Sequence, residues 1–173
     1  MNSKFELLLD DTVESFGIKL FRIRALISFD NVKAGDVGGY IEKEENLSES
    51  GNAWVYGNAR VYGNAEVSGD ARVYGNAWVY GNAWVYGDAR VSGDAEVSGD
   101  AEVSGDARVT SKKDYIVFKN SWSSFRWFTY TKSNKMWNVG CFSGTGQELI
   151  EKAYKDNEKS GKSYEAYVNL VLE

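Results

Sequence analysis

The side chains with chemical potential in this sequence recur at intervals of six. Trp54, Trp78 and Trp84 share one place in a six-residue period, and Tyr56, Tyr62, Tyr74, Tyr80 and Tyr86 share the place two residues later. Trp and Tyr at this density on a surface suit protein recognition, where they act as anchors. Beyond Gly87 both aromatics leave these places: Ser92, Ser98, Ser104 and Thr110 take the tyrosine positions, and Glu96 and Glu102 stand where tryptophans stood. Asp94, Glu96, Asp100 and Glu102 therefore form a second candidate surface, an acidic one that would imitate a nucleic-acid backbone. Catalysis is poorly provided for. The chain of 173 residues contains no histidine and a single cysteine, Cys141. That removes imidazole bases, histidine-activated nucleophiles, histidine zinc sites and any thiolate zinc site. No carboxylate pair stands out among the surface acids, so the sequence predicts no catalytic residue, no cofactor and no metal.

These residues are carried by ten consecutive hexapeptides from Gly51 to Thr110, each reading Gly, Asn or Asp, Ala, a variable residue, Val, then Tyr, Ser or Thr. In a short strand, Ala59 and Val61 fall on one side and Arg60 and Tyr62 on the other. Ala and Val are predicted to face inward, with the aromatics and charges outward. Gly followed by Asn or Asp supplies the corner, since both tolerate left-handed backbone angles. Gly-Asp-Ala-Arg-Val begins at Gly69, Gly87 and Gly105, eighteen residues apart, as expected if three hexapeptides complete one triangular coil. Equivalent residues then stack about 4.8 Å apart. Asp70, Asp88 and Asp106 would repel one another at that spacing, and the ladder of Arg72, Arg90 and Arg108 in the same column is expected to offset the repulsion. The outward aromatics could equally stack as ladders that only stabilise neighbouring coils.

The pairing of Val55 with Ala59, repeated through Val103 and Ala107, resembles the motif of hexapeptide-repeat proteins. The resemblance implies a mainly β fold, a left-handed parallel β-helix with three hexapeptides per coil. The handedness comes from it alone, because crossover connections are normally right-handed. Well-known members of that fold are acyltransferases and zinc carbonic anhydrases, which rely on histidines, and this chain departs from them on that point. The block from Asn31 to Ser50 and the block from Tyr130 to Ile150 look like segments of phage and prophage proteins that carry such arrays. This implies a source in phage-infected bacteria and, by analogy, a non-enzymatic protein that binds a host protein, including a component of a defence system. Self-association as a homodimer or homotrimer would bury the same aromatics. Nucleic-acid mimicry through the acidic surface, small-ligand sequestration by an oligomer and an acyltransferase-like activity are the alternatives. The tail carries no recognised nucleic-acid-binding motif, which argues against direct binding.

A solenoid has open ends that must be covered, and the flanks read as covers. Residues 1–50 are expected to form an N-terminal β cap, with residues 4–9 and 18–29 as a hairpin and Leu47 in the alanine place of a degenerate upstream repeat. Residues 51–110 form the β-helix. Residues 111–173 are expected to form a small α+β cap. Its strands are predicted at 115–118, 125–131 and 136–142, followed by a helix near 146–158 capped by Thr145 and Glu148, and by a second helix after Gly161. Trp122, Trp127 and Trp137 are expected in its core, with an aromatic groove for a ligand as the alternative, and Cys141 is expected to be a small buried side chain. The start lacks a signal-peptide core, no apolar run is long enough to span a membrane, and the lone cysteine fits a reducing cytoplasm.

Overall fold

The computed structural model describes residues 2–121 and 124–172. After a hairpin of β1 (Phe5–Ser15) and β2 (Ile18–Ala25), strand β3 (Val37–Ile41) opens the winding. Ten two-residue strands then follow at six-residue intervals, from β4 (Trp54–Val55) to β13 (Arg108–Val109). Their pairing is parallel and eighteen residues apart, as in Trp54 with Arg72 and Arg72 with Arg90. The chain is thus a β-solenoid of about four turns with three faces: β4, β7, β10 and β13 on the first, β3, β5, β8 and β11 on the second, β6, β9 and β12 on the third.

Local chemistry explains the winding. The glycine opening each repeat has φ between +60° and +74°, where an L side chain is strained. At Gly51 a Cβ would also lie 2.6 Å from the Gly69 carbonyl oxygen of the next coil. Backbone amides bond from coil to coil, as in Arg72 N–H to the Ala89 carbonyl at 2.9 Å and Arg90 N–H to Ala107 at 2.8 Å. Every repeat valine and alanine from Ala53 to Val109 is buried in one continuous core. Each valine contributes about 1.5 kcal/mol or more, so many thin layers together hold the prism. Corner amides add a ladder of their own: Asn64 donates to Asn82 and Asn82 to Asp100, each at 3.3 Å. The expected neutralisation of aspartates by arginines takes another form. Arg72 pairs with Asp30 at 2.6 Å, and among the described residues no ion pair joins Arg90 or Arg108 to the aspartate column.

The winding starts earlier than the regular repeats. Ile41 pairs with Val61 and Leu47 with Val67, twenty residues on, whereas Val55 pairs with Val73, eighteen on. Two extra residues therefore lie between Leu47 and Val55, and Leu47 occupies a valine place, not the alanine place expected of it. Its larger side chain is fully buried where the prism begins.

Both ends are closed through their main-chain groups. At the start, β2 pairs antiparallel with β3, Lys4 Nζ donates to the carbonyls of Ala53 and Ser48 at 2.7 and 3.1 Å, and Asn46 Nδ2 to that of Ala65 at 2.8 Å. At the far end, side chains of the C-terminal part take over. The Glu102 amide donates to Thr129 Oγ1, and its carbonyl accepts from Asn138 Nδ2. The Tyr115 hydroxyl accepts from the Ser98 amide and donates to the Glu96 carbonyl.

That C-terminal part is an antiparallel sheet of β14 (Tyr115–Lys119), β15 (Trp127–Thr131), β16 (Met136–Val139) and β17 (Phe142–Thr145), with α1 (Gly146–Asp156) and α2 (Glu158–Leu172) packed on it. It has four strands where three were expected, because Gly140 at φ +57° turns the chain inside 136–142. Cys141 sits in that turn and is exposed, not buried. Phe125 lies outside β15 with φ +54° and is exposed. Thr145 and Glu148 do form a capping box. Gly161 does not separate the helices but lies buried inside α2, where a Cβ would come within 2.3 Å of the Tyr154 ring. Trp137 is fully buried and Trp127 half-buried, while Trp122 lies outside the described residues.

Candidate functional site

The eight candidate aromatics separate into covered and uncovered groups. Trp54 projects from the first face but is only 1% exposed. Phe5 and Phe29 meet it edge-on at centroid distances of 6.3 and 5.5 Å, a favourable aromatic geometry. The expectation of an outward, accessible Trp54 is thereby corrected, since the N-terminal segment supplies an apolar lid that the repeat pattern does not contain. Tyr62 is corrected in the same way at 5% exposure, packed with Leu20 and Tyr40 and stacked on Tyr80 at 5.1 Å. Burial pushes the Tyr62 phenol up to about 12.

Trp78 is half-buried between the hairpin tip and its own face. Phe16 meets its ring edge-on at 5.5 Å, and the Arg60 guanidinium lies 5.1 Å above the ring, a cation–π contact. Arg60 Nη1 also donates to Ser15 Oγ at 2.8 Å, tying the tip to the second face. Tyr80 donates to Glu96 at 3.3 Å. Tyr56, half-buried against the core, has its phenol pushed up by burial. On the first and second faces the aromatics are therefore largely a docking surface for the chain's own N-terminal hairpin.

Trp84 differs. It stands on the third face, 47% exposed, and among the described residues its ring contact is with Tyr86, edge-on at 5.9 Å. Its indole N–H donates to Glu66 at 2.9 Å, which holds the ring in one orientation. Tyr74, 38% exposed, lies at the end of the first face.

The acidic residues do not share one face. Glu96 belongs to the second and Glu102 to the third, with Asp94 and Asp100 at the corners that precede them. Glu96 pairs with Lys112 at 2.7 Å. Glu102 is half-buried beneath the C-terminal sheet, and burial pushes its carboxyl above the usual carboxylate range. Asp94 and Asp100 each accept from an asparagine one coil earlier. Among the described residues no group of three His, Cys, Asp or Glu side chains could hold a metal ion, and no helix is long and apolar enough to cross a membrane.

Repeat periodicity located the aromatics but missed what covers them. Phe5, Phe16 and Phe29 lie outside the repeats, and the available signal was the Phe16-Gly17 turn within the N-terminal hairpin, which places a bulky ring at its tip.

A family model described as the YdcK beta solenoid repeat matches residues 53–69, 65–81 and 71–87. The matched stretch lies within the coils and includes Trp78 and Trp84. The curated proteins compared with the chain include no match.

Proposed function

We propose that this chain is a non-catalytic interaction protein of the phage type, a left-handed hexapeptide solenoid that captures a host protein in the bacterial cytoplasm through its third face. The observation that carries the reading is Trp84, a large ring left nearly half exposed and held by Glu66 and Tyr86. A ring whose orientation is already fixed loses little conformational freedom on binding, and such aromatic anchors dominate protein interfaces. The left-handed winding rests on the resemblance to hexapeptide-repeat proteins alone, and the phage source on the resemblance of the blocks at 31–50 and 130–150 to phage and prophage proteins. A component of a host defence system is the partner class this origin favours.

Trp84→Ser combined with Tyr86→Ser tests the surface. Both positions lie outside the Val and Ala core, so the variant should keep its circular dichroism and lose partner capture from bacterial lysate by about tenfold or more. Retention of the same partner by the folded variant would overturn the assignment. Sedimentation separates the host-protein reading from self-association: if the occupant is a second copy, the wild-type chain sediments above the monomer mass and the variant returns to it.

A further inference from the structure

The C-terminal part contains a groove of about 730 Å³ that lies apart from the aromatic surface and that the repeat reading does not use. It forms because α2 packs across the middle of the sheet, with Tyr164 against Phe128 at 4.9 Å, and leaves the outermost strand β14 only partly covered. Ile116 and Phe118 from β14 and Tyr167, Leu170 and Val171 from the last turns of α2 make its walls. Ile116 and Leu170 remain 43% and 73% exposed, a cost in water that an occupant would relieve.

The lining has a definite charge. Lys113, Lys119 and Lys132 contribute to it, and among the described residues no Asp or Glu does. Among the described residues none of the three ammonium groups is in an ion pair, and Lys119 lies over the Trp127 ring at 5.6 Å. An apolar trough of this volume is in the range that takes small molecules. A purely ionic ligand such as phosphate would leave the apolar walls wet, and a neutral lipid would leave Lys113 and Lys132 without an anionic partner.

We propose that this groove binds a small amphipathic anion from solution, an acyl carboxylate whose chain lies along Ile116, Phe118 and Leu170 and whose head meets Lys113 and Lys132, which flank the end of the sheet where Tyr115 pairs with Thr131. The inference does not depend on the third-face reading. Dodecanoate, held below its micelle concentration, is the probe for titration calorimetry with the full chain. Saturable one-to-one binding is expected, with dodecyltrimethylammonium at least tenfold weaker because its head carries the opposite charge. The double variant Lys113→Glu and Lys132→Glu should weaken dodecanoate at least tenfold, and Leu170→Asp should do the same through the wall; all three sites are exposed, and unchanged melting will show that the fold persists. No saturable binding, equal affinity for the two head groups, or unchanged affinity in both folded variants would overturn the proposal. Co-sedimentation with phosphatidylglycerol vesicles without binding of free dodecanoate would also overturn it, by assigning the apolar groove to a membrane surface.

Discussion

At the scale of single residues, Lys4 is the side chain whose place depends most on its surroundings. Its stem is fully buried, its ammonium group donates to the carbonyls of Ala53 and Ser48, and it lies 4.7 Å from the centre of the Phe29 ring. Burial pushes its pKa from 10.5 down to about 8, with the Asp70 carboxylate pulling weakly the other way. The unfolded chain therefore holds this proton between about pH 8 and 10.5 while the folded chain releases it. Stability contributed by this site must rise with pH across that window, and below pH 8 the full cost of burying the charge is present. Lys4→Met should remove this rise. The difference in unfolding free energy between wild type and variant is expected to change by on the order of 2 kcal/mol from pH 8 to pH 10.5, read by urea denaturation. A parallel pH dependence in both proteins would show that Lys4 keeps an ordinary pKa.

At the scale of elements, the open edge of the last coil is closed by side chains, not by another strand. Asn138 is the centre of that arrangement: its Nδ2 donates to the Glu102 carbonyl at 2.9 Å, and its Oδ1 accepts from Ser104 Oγ at 3.1 Å. Both Asn138 and Ser104 are buried. Asn138→Ala leaves the partly buried Glu102 carbonyl without its side-chain donor and takes one of its partners from the Ser104 hydroxyl, which costs about 1–3 kcal/mol. The variant should unfold at lower urea, and hydrogen exchange should rise first at the Glu102 and Ser98 amides, where the sheet and the coil meet. Loss spread evenly over the solenoid would mean that the edge is held by other contacts. The hairpin at the opposite end works differently, since β2 supplies a true strand to β3 and its tip spreads apolar cover over Tyr62 and Trp78.

At the scale of the whole molecule, three repeats make one turn, and length is tolerated in whole repeats. Duplicating Gly87–Ser104 adds eighteen residues and presents the same last coil to the C-terminal sheet. Nearest-neighbour stacking predicts a folded protein at least as stable as the original by thermal melting. Duplicating only Gly87–Ala89 adds three residues, which must loop out of the prism or set the corners of every later coil over the strands of the coil before it. This second variant should melt lower or aggregate, and equal melting of the two would exclude a register set by whole repeats. The sequence by itself determined the solenoid, its inward Val and Ala and the eighteen-residue register, because each repeat restates the same local choices of corner glycine, small residue and β-branched residue. It also determined the Thr145 and Glu148 cap of α1, which is local chemistry. What it left open was the fate of side chains that leave the prism. Trp54 and Trp84 occupy the same place in their hexapeptides, yet Phe5 and Phe29 bury one while the other stays in water. Only the tertiary structure decided this, because burial outside the prism depends on where a distant hairpin lies, and no period in the repeats encodes the contact between them.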